Sequence, residues 1–200
     1  MSPQLIFVIP TRTVRLDSSK KIRTVVSGKE RVDVLARCLF SLHRWQLRLK
    51  YDLKLVFYLS HPQEEKALII PLHNLSEEID DEFEATHLMI RLLSSPEVFN
   101  CETQKISFEE LLLLTSTNSI IYYLTPNGLP FSDVKKELSR SDSLCFVLGS
   151  QHDLTPEQES VMCKIGALQI SLGQLNYLAS HVLTIICHYL FDTLENSSLS

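Results

Sequence analysis

The strongest constraint on the fold is a strand–turn–helix alternation that occurs three times between residues 116 and 195. Ser119–Leu124 is apolar and β-prone and runs into Thr125-Pro-Asn-Gly128, with a short helix expected over Asp133–Ser139. Leu144–Leu148 runs into Gly149-Ser-Gln-His-Asp153. The next helix opens at Thr155, with Pro156 at its first position and Gln158 completing a capping box. Leu168–Leu172 runs into Gly173, and a long, mostly apolar helix is expected from Gln174 to about Leu194. Apolar strands separated by helical segments specify an α/β fold, a parallel sheet with crossover helices on its faces.

The N-terminal half supplies further layers. Leu5–Pro10, Leu53–Leu59 and Ala67–Leu72 read as strands, and the short link Ser60–Lys66 suggests a hairpin. Thr11–Lys29 is polar and basic and reads as a loop. Glu30 to about Lys50 reads as a helix, because Val32, Leu35, Leu39, Leu42 and Leu49 form a stripe at helical spacing. Glu82–Leu93 and Phe108–Leu114 are further helices, and Asn196–Ser200 a tail. The whole is expected to be one domain over 1–200, in which residues 1–115 form an N-terminal region and residues 116–195 a C-terminal region.

Charge is divided unevenly. The segment 12–54 carries twelve Lys or Arg against four Asp or Glu, a net +8, while the remainder carries seven against twenty, a net −13. A basic stretch on an otherwise acidic chain is a candidate footprint for a polyanion such as RNA, and Arg31, Arg44 and Arg48 are its candidate contacts. Asp33, Arg37, Arg44 and Arg48 are spaced so that a helix would hold them on one flank. The five cysteines never sit at C-x-x-C spacing, so no metal site is expected. Scattered, odd in number and without a leader sequence ahead of them, they point to reduced thiols and the cytoplasm.

Only five glycines are present, and Gly128, Gly149 and Gly173 each follow one of the three C-terminal strands. Ligands of open parallel sheets bind at the carboxyl ends of strands. Leu124, Leu148, Ile170, Leu172 and Leu175 would wall such a site. There is no G-x-G-x-x-G and no P-loop. Apolar walls with exposed main chain suit a purine and a methionine side chain better than a triphosphate.

Three stretches carry a family likeness. Arg31-Val-Asp-Val-Leu-Ala-Arg-Cys38, Tyr122-Tyr-Leu-Thr-Pro-Asn-Gly128, and Phe146-Val-Leu-Gly149 with Ile170-Ser-Leu172 and Ala179–Ile186 resemble, in that order, the TrmY family of SPOUT RNA methyltransferases. The resemblance implies an S-adenosylmethionine-dependent enzyme that methylates N1 of a pseudouridine in tRNA or rRNA. It also implies a homodimer formed through the last helix and a deep trefoil knot in the C-terminal region, where the cofactor would bind. It adds Gly149, Gly173 and Val182 to the expected cofactor contacts. Ser150-Gln151 before His152, and Val182 after His181, depart from the archaeal pattern and suggest a bacterial-type member.

The chemistry then points to two residues. Pseudouridine N1 carries a proton that must leave before the nitrogen can attack a methyl group. Asp33 is the candidate base, and Arg37, one helical turn on, the candidate partner for a ring carbonyl or phosphate. Arg140 is the nearest arginine for a ribose-methylating alternative, and a SPOUT-like RNA-binding protein without methyl transfer is a further alternative.

Overall fold

The computed structural model describes residues 3–14, 31–61, 64–138, 141, 143–150 and 154–197. Among these residues seven strands form one sheet in the order β4-β3-β2-β1-β6-β5-β7. Their ranges are β1 Gln4–Thr11, β2 Asp52–His61, β3 Glu64–Pro71, β4 Glu102–Lys105, β5 Ile120–Pro130, β6 Ser143–Val147 and β7 Leu168–Ser171. Among the described residues six α-helices flank it: α1 Val32–Gln46, α2 Glu82–Ser94, α3 Phe108–Ser116, α4 Phe131–Leu138, α5 Pro156–Lys164 and α6 Ala179–Ser197.

The sheet is mixed, which corrects the expectation of a parallel one. Strands β2, β1, β6, β5 and β7 run parallel, while β3 pairs antiparallel with β2 and β4 antiparallel with β3. The cause lies in the connections. Crossover helices enforce parallel pairing, whereas the short link after β2 permits only a hairpin.

β1 lies between β2 and β6, so its side chains are buried on both faces. Leu5, Phe7 and Ile9 face α1, α2 and α6, while Ile6 and Val8 face α3 and α5. Phe146 stacks on Phe7 at 5.7 Å and on Tyr122 at 5.3 Å, tying β1, β6 and β5 together beneath the C-terminal edge. Cys38, Cys101, Cys145 and Cys187 are buried and Cys163 is exposed. Burial pushes the Cys38 thiol up to about 12, so it packs as an apolar group.

Three local outcomes differ from the sequence reading. Thr125–Gly128 is part of β5 rather than a turn after it, because Ile170 of β7 pairs with both Leu124 and Leu129 and the residues between bulge out of register. Gln174–Leu178 is not helical, and α6 starts at Ala179. Helix α1 stops at Gln46, so Arg48 lies beyond it. Of the basic loop, residues 15–30 lie outside the described residues, as does Arg140.

Candidate functional site

The ends of β5, β6 and β7, with the segment leading into α6, enclose a cavity of about 710 Å³. Leu124, Leu148, Leu172, Leu175 and Val182 supply apolar walls, and Thr125, Pro126, Gly149, Ser150 and Gly173 also line it. Seven of the eight expected cofactor residues thus surround one space. Ile170 is the exception: it is fully buried in the core, where its main chain abuts Gly128.

The segment after β7 is bound to the β5 bulge. Ser171 Oγ donates to the Pro126 carbonyl at 3.1 Å, and Gln174 Nε2 donates to the same carbonyl at 3.3 Å. The Gly173 N–H donates to Ser171 Oγ at 3.1 Å. Gly173 has φ +107, a conformation that a side chain would strain, so glycine lets the chain turn from β7 across the cavity floor. The size and the mixture of apolar and polar lining residues fit S-adenosylmethionine, whose purine, ribose and methionine chain need both.

Sequence reasoning missed several lining residues, among them Leu154, Asn176, Tyr177, Ala179 and Arg12. Arg12 had a readable signal, since it follows β1 directly and so stands at the sheet's carboxyl edge. Among the described residues Arg12 is the one charged side chain in the lining, which holds no Asp, Glu or His.

Asp33 and Arg37 do not line this cavity; they belong to a cluster at the start of α1. Arg31, at the helix N-cap, has φ 36 and ψ 47, a left-handed conformation uncommon outside glycine. There it turns back on Asp33, with Nε donating to Oδ1 at 2.8 Å and Nη2 to Oδ2 at 2.9 Å. Arg37 Nη2 donates to Asp33 Oδ2 at 2.6 Å. The Arg31 hydrogen bonds, with the charges of Arg31 and Arg37, hold the Asp33 carboxyl below the usual carboxylate range against the opposing effect of partial burial. A carboxylate held in this way is a weak proton acceptor at neutral pH.

The remaining RNA candidates lie on aromatic rings. The Arg44 guanidinium stands 5.1 Å from the Phe40 ring centre, and that of Arg48 5.8 Å from Trp45. Stacking fixes the side chains and leaves their edges to solvent.

Residues 5–195 match the family model described as "Putative SAM-dependent RNA methyltransferase". The tRNA (pseudouridine(54)-N(1))-methyltransferase of Thermococcus gammatolerans is 29% identical, over 95% of this chain and 98% of its own length. That of Methanococcus vannielii is 26% identical, over 94% and 98%. Both relatives are archaeal and lend the bacterial-type reading no support. Among solved structures, Nep1 of Archaeoglobus fulgidus bound to S-adenosylhomocysteine superposes with a TM-score of 0.63 at 13% identity, over 98% of this chain and all of that one. Ribosomal RNA small subunit methyltransferase E of Neisseria gonorrhoeae, bound to S-adenosylmethionine, gives 0.54 at 13% identity, over 96% and 68%.

Proposed function

Since the chain belongs to this family of S-adenosylmethionine-dependent RNA methyltransferases, we propose that it methylates N1 of a pseudouridine in tRNA, at position 54. The observation that carries the reading is the joining of two facts: relatives with that printed activity align along almost the whole chain, and the chain builds a cofactor-sized cavity at the carboxyl ends of β5–β7.

Bound S-adenosylmethionine supplies an electrophilic methyl group on a sulfonium. Leu124, Leu148, Leu172, Leu175 and Val182 hold its apolar parts and exclude water. Gly149 and Gly173 let the main chain come close. The target nucleotide must leave its stack to reach the cavity. Asp33 steadies Arg31 and Arg37, and we assign the Arg37 guanidinium to a phosphate or ring carbonyl of the bound nucleotide. Because its oxygens are engaged, Asp33 serves as a positioning residue in this scheme, not as the base. Arg44 and Arg48 hold the RNA backbone.

The reading includes a homodimer. Leu175, Tyr177 and Leu178 before α6, and Tyr189 on it, are exposed apolar side chains that support such an interface. The inward face of α6, with Val182, Leu183, Ile186 and Leu190, is already buried within the chain against α1 and α4. The trefoil knot belongs to the same proposal. It rests on the family likeness alone. The cytoplasm is the proposed compartment.

Nucleoside mass spectrometry of tRNA from cells lacking the gene tests the reading. N1-methylpseudouridine should disappear, and pseudouridine should rise in its place. An unchanged modification profile would reject it.

A further inference from the structure

The reaction proposed above sets a problem that the cavity poses in concrete form. Pseudouridine N1–H must give up its proton, yet among the described residues lining the cavity there is no Asp, Glu or His to receive it. The carboxylate expected for this task, Asp33, lies outside the lining and has both oxygens occupied by Arg31 and Arg37 at 2.6–2.9 Å. What the cavity does offer is a cation. Arg12 lies one residue beyond the buried, strand-paired Thr11, which fixes where its side chain starts.

We propose that Arg12 is a catalytic residue whose guanidinium stabilises the N1-deprotonated pseudouridine ring, with the RNA base as its ligand in the cavity. The inference rests on the methyltransferase reading and deepens it. The N1–H bond breaks, its electron pair stays on the ring, and its proton passes to water at the cavity mouth. Ring conjugation spreads the negative charge onto the adjacent carbonyl oxygen, which the guanidinium N–H groups meet. The N1 lone pair then forms the N1–C bond as the S–C bond breaks, leaving the neutral thioether S-adenosylhomocysteine. Uridine cannot enter this path, since its N1 is bonded to ribose. A cation facing the reacting ring therefore favours the one isomer that can become an anion there.

Other anions compete for Arg12 in principle. The cofactor carboxylate and an RNA phosphate would each attract it. Position favours the ring: Arg12 comes from β1, across β6 from the β5 and β7 ends whose leucines wall the opposite side. Glu157, in the first turn of α5, is a charged neighbour that feels Arg12. Its carboxyl is held below its ordinary range by backbone and Thr155 hydrogen bonds first, and the Arg12 charge adds to them. A carboxylate on the outer side can steady the guanidinium without supplying a base inside.

The test uses the full-length protein, S-adenosylmethionine and a tRNA carrying pseudouridine, with Arg12→Gln and Arg12→Lys as variants. The wild type must first methylate that tRNA; if it does not, the methyltransferase reading fails, whatever Arg12 does. Given wild-type activity, single-turnover rates at saturating RNA and cofactor should fall about a hundredfold in Arg12→Gln and recover in part in Arg12→Lys. The rate of Arg12→Gln should keep rising to higher pH than that of the wild type, because an unstabilised anion forms only there. Calorimetry with S-adenosylhomocysteine, and the salt dependence of tRNA binding, should match the wild type. An unchanged saturated rate would overturn the proposal. So would a defect confined to S-adenosylhomocysteine affinity, which marks a carboxylate grip, or to RNA affinity with a reduced salt slope, which marks a phosphate grip.

Discussion

Gly128 and Ile170 touch main chain to main chain: a Cβ built on the glycine would stand 2.5 Å from the Ile170 nitrogen and carbonyl carbon. No side chain can relieve that contact, because the obstacle is backbone. The bulge of β5 and the strand β7, which lie beside the cavity, are thereby set at a spacing only glycine permits. Gly128→Ala must push β7 away. The expected cost is about 1–3 kcal/mol, typical of overpacking. Thermal denaturation should show a midpoint lower by several degrees, and calorimetry a weaker S-adenosylhomocysteine affinity. An unchanged midpoint would mean that the two strands do not lie this close.

Asp33 acting through Arg37 makes a prediction that a base would not. Asp33→Asn should lower the saturated rate by about tenfold, well short of the loss expected for a removed general base. The Asp33→Asn, Arg37→Gln double variant should be no slower than Arg37→Gln alone, since one residue works by orienting the other. Additive losses in this cycle would restore an independent role for the carboxylate.

Arg44 and Arg48 are assigned to phosphates, and phosphate contacts are read in salt. Arg44→Gln and Arg48→Gln should each weaken tRNA binding and reduce the slope of log affinity against log salt by about 0.7–0.9. The rate at saturating tRNA should be nearly unchanged. A normal slope with reduced rate would move these residues from binding to chemistry.

Much of this was legible in the chain, and the failures have physical causes. The three strand–helix modules of the C-terminal region follow from apolar runs and the Thr155–Gln158 capping box, present as expected with Thr155 Oγ1 accepting from the Gln158 N–H. Strand β4, Glu-Thr-Gln-Lys, was not legible because a polar edge strand carries no apolar alternation. Gln174–Leu178 reads as helix because it has the composition of one. The constraint at Gly173, and the hydrogen bonds of Ser171 and Gln174 to Pro126, favour a loop instead. The Arg31–Asp33 pair was invisible for a different reason: residues two apart do not meet on a helix. They meet here because Arg31 adopts a left-handed conformation just outside it. The walls of the cavity were legible as leucines at strand ends, whereas Arg12 was submerged in the general charge of the basic segment.

His43, on α1, gives stability a pH dependence of definite sign. Burial lowers its pKa from 6.5, with only partial opposition from a backbone hydrogen bond at Glu77. The unfolded chain therefore takes up the proton first, and protonation favours unfolding. His43 costs nothing above its unfolded value and destabilises the fold as pH falls below about 6.5. Denaturation midpoints between pH 7.5 and 5.5 should drop less for His43→Gln than for the wild type. Parallel curves would show that His43 is not held neutral by the fold.

The most direct test of the central claim is methyl transfer by the purified protein to paired tRNA substrates that differ only in carrying pseudouridine or uridine at position 54, followed by nucleoside mass spectrometry. The account predicts N1-methylpseudouridine and an equal amount of S-adenosylhomocysteine from the first substrate, and no methylated nucleoside from the second. Equal methylation of both, or none of the first, would contradict it.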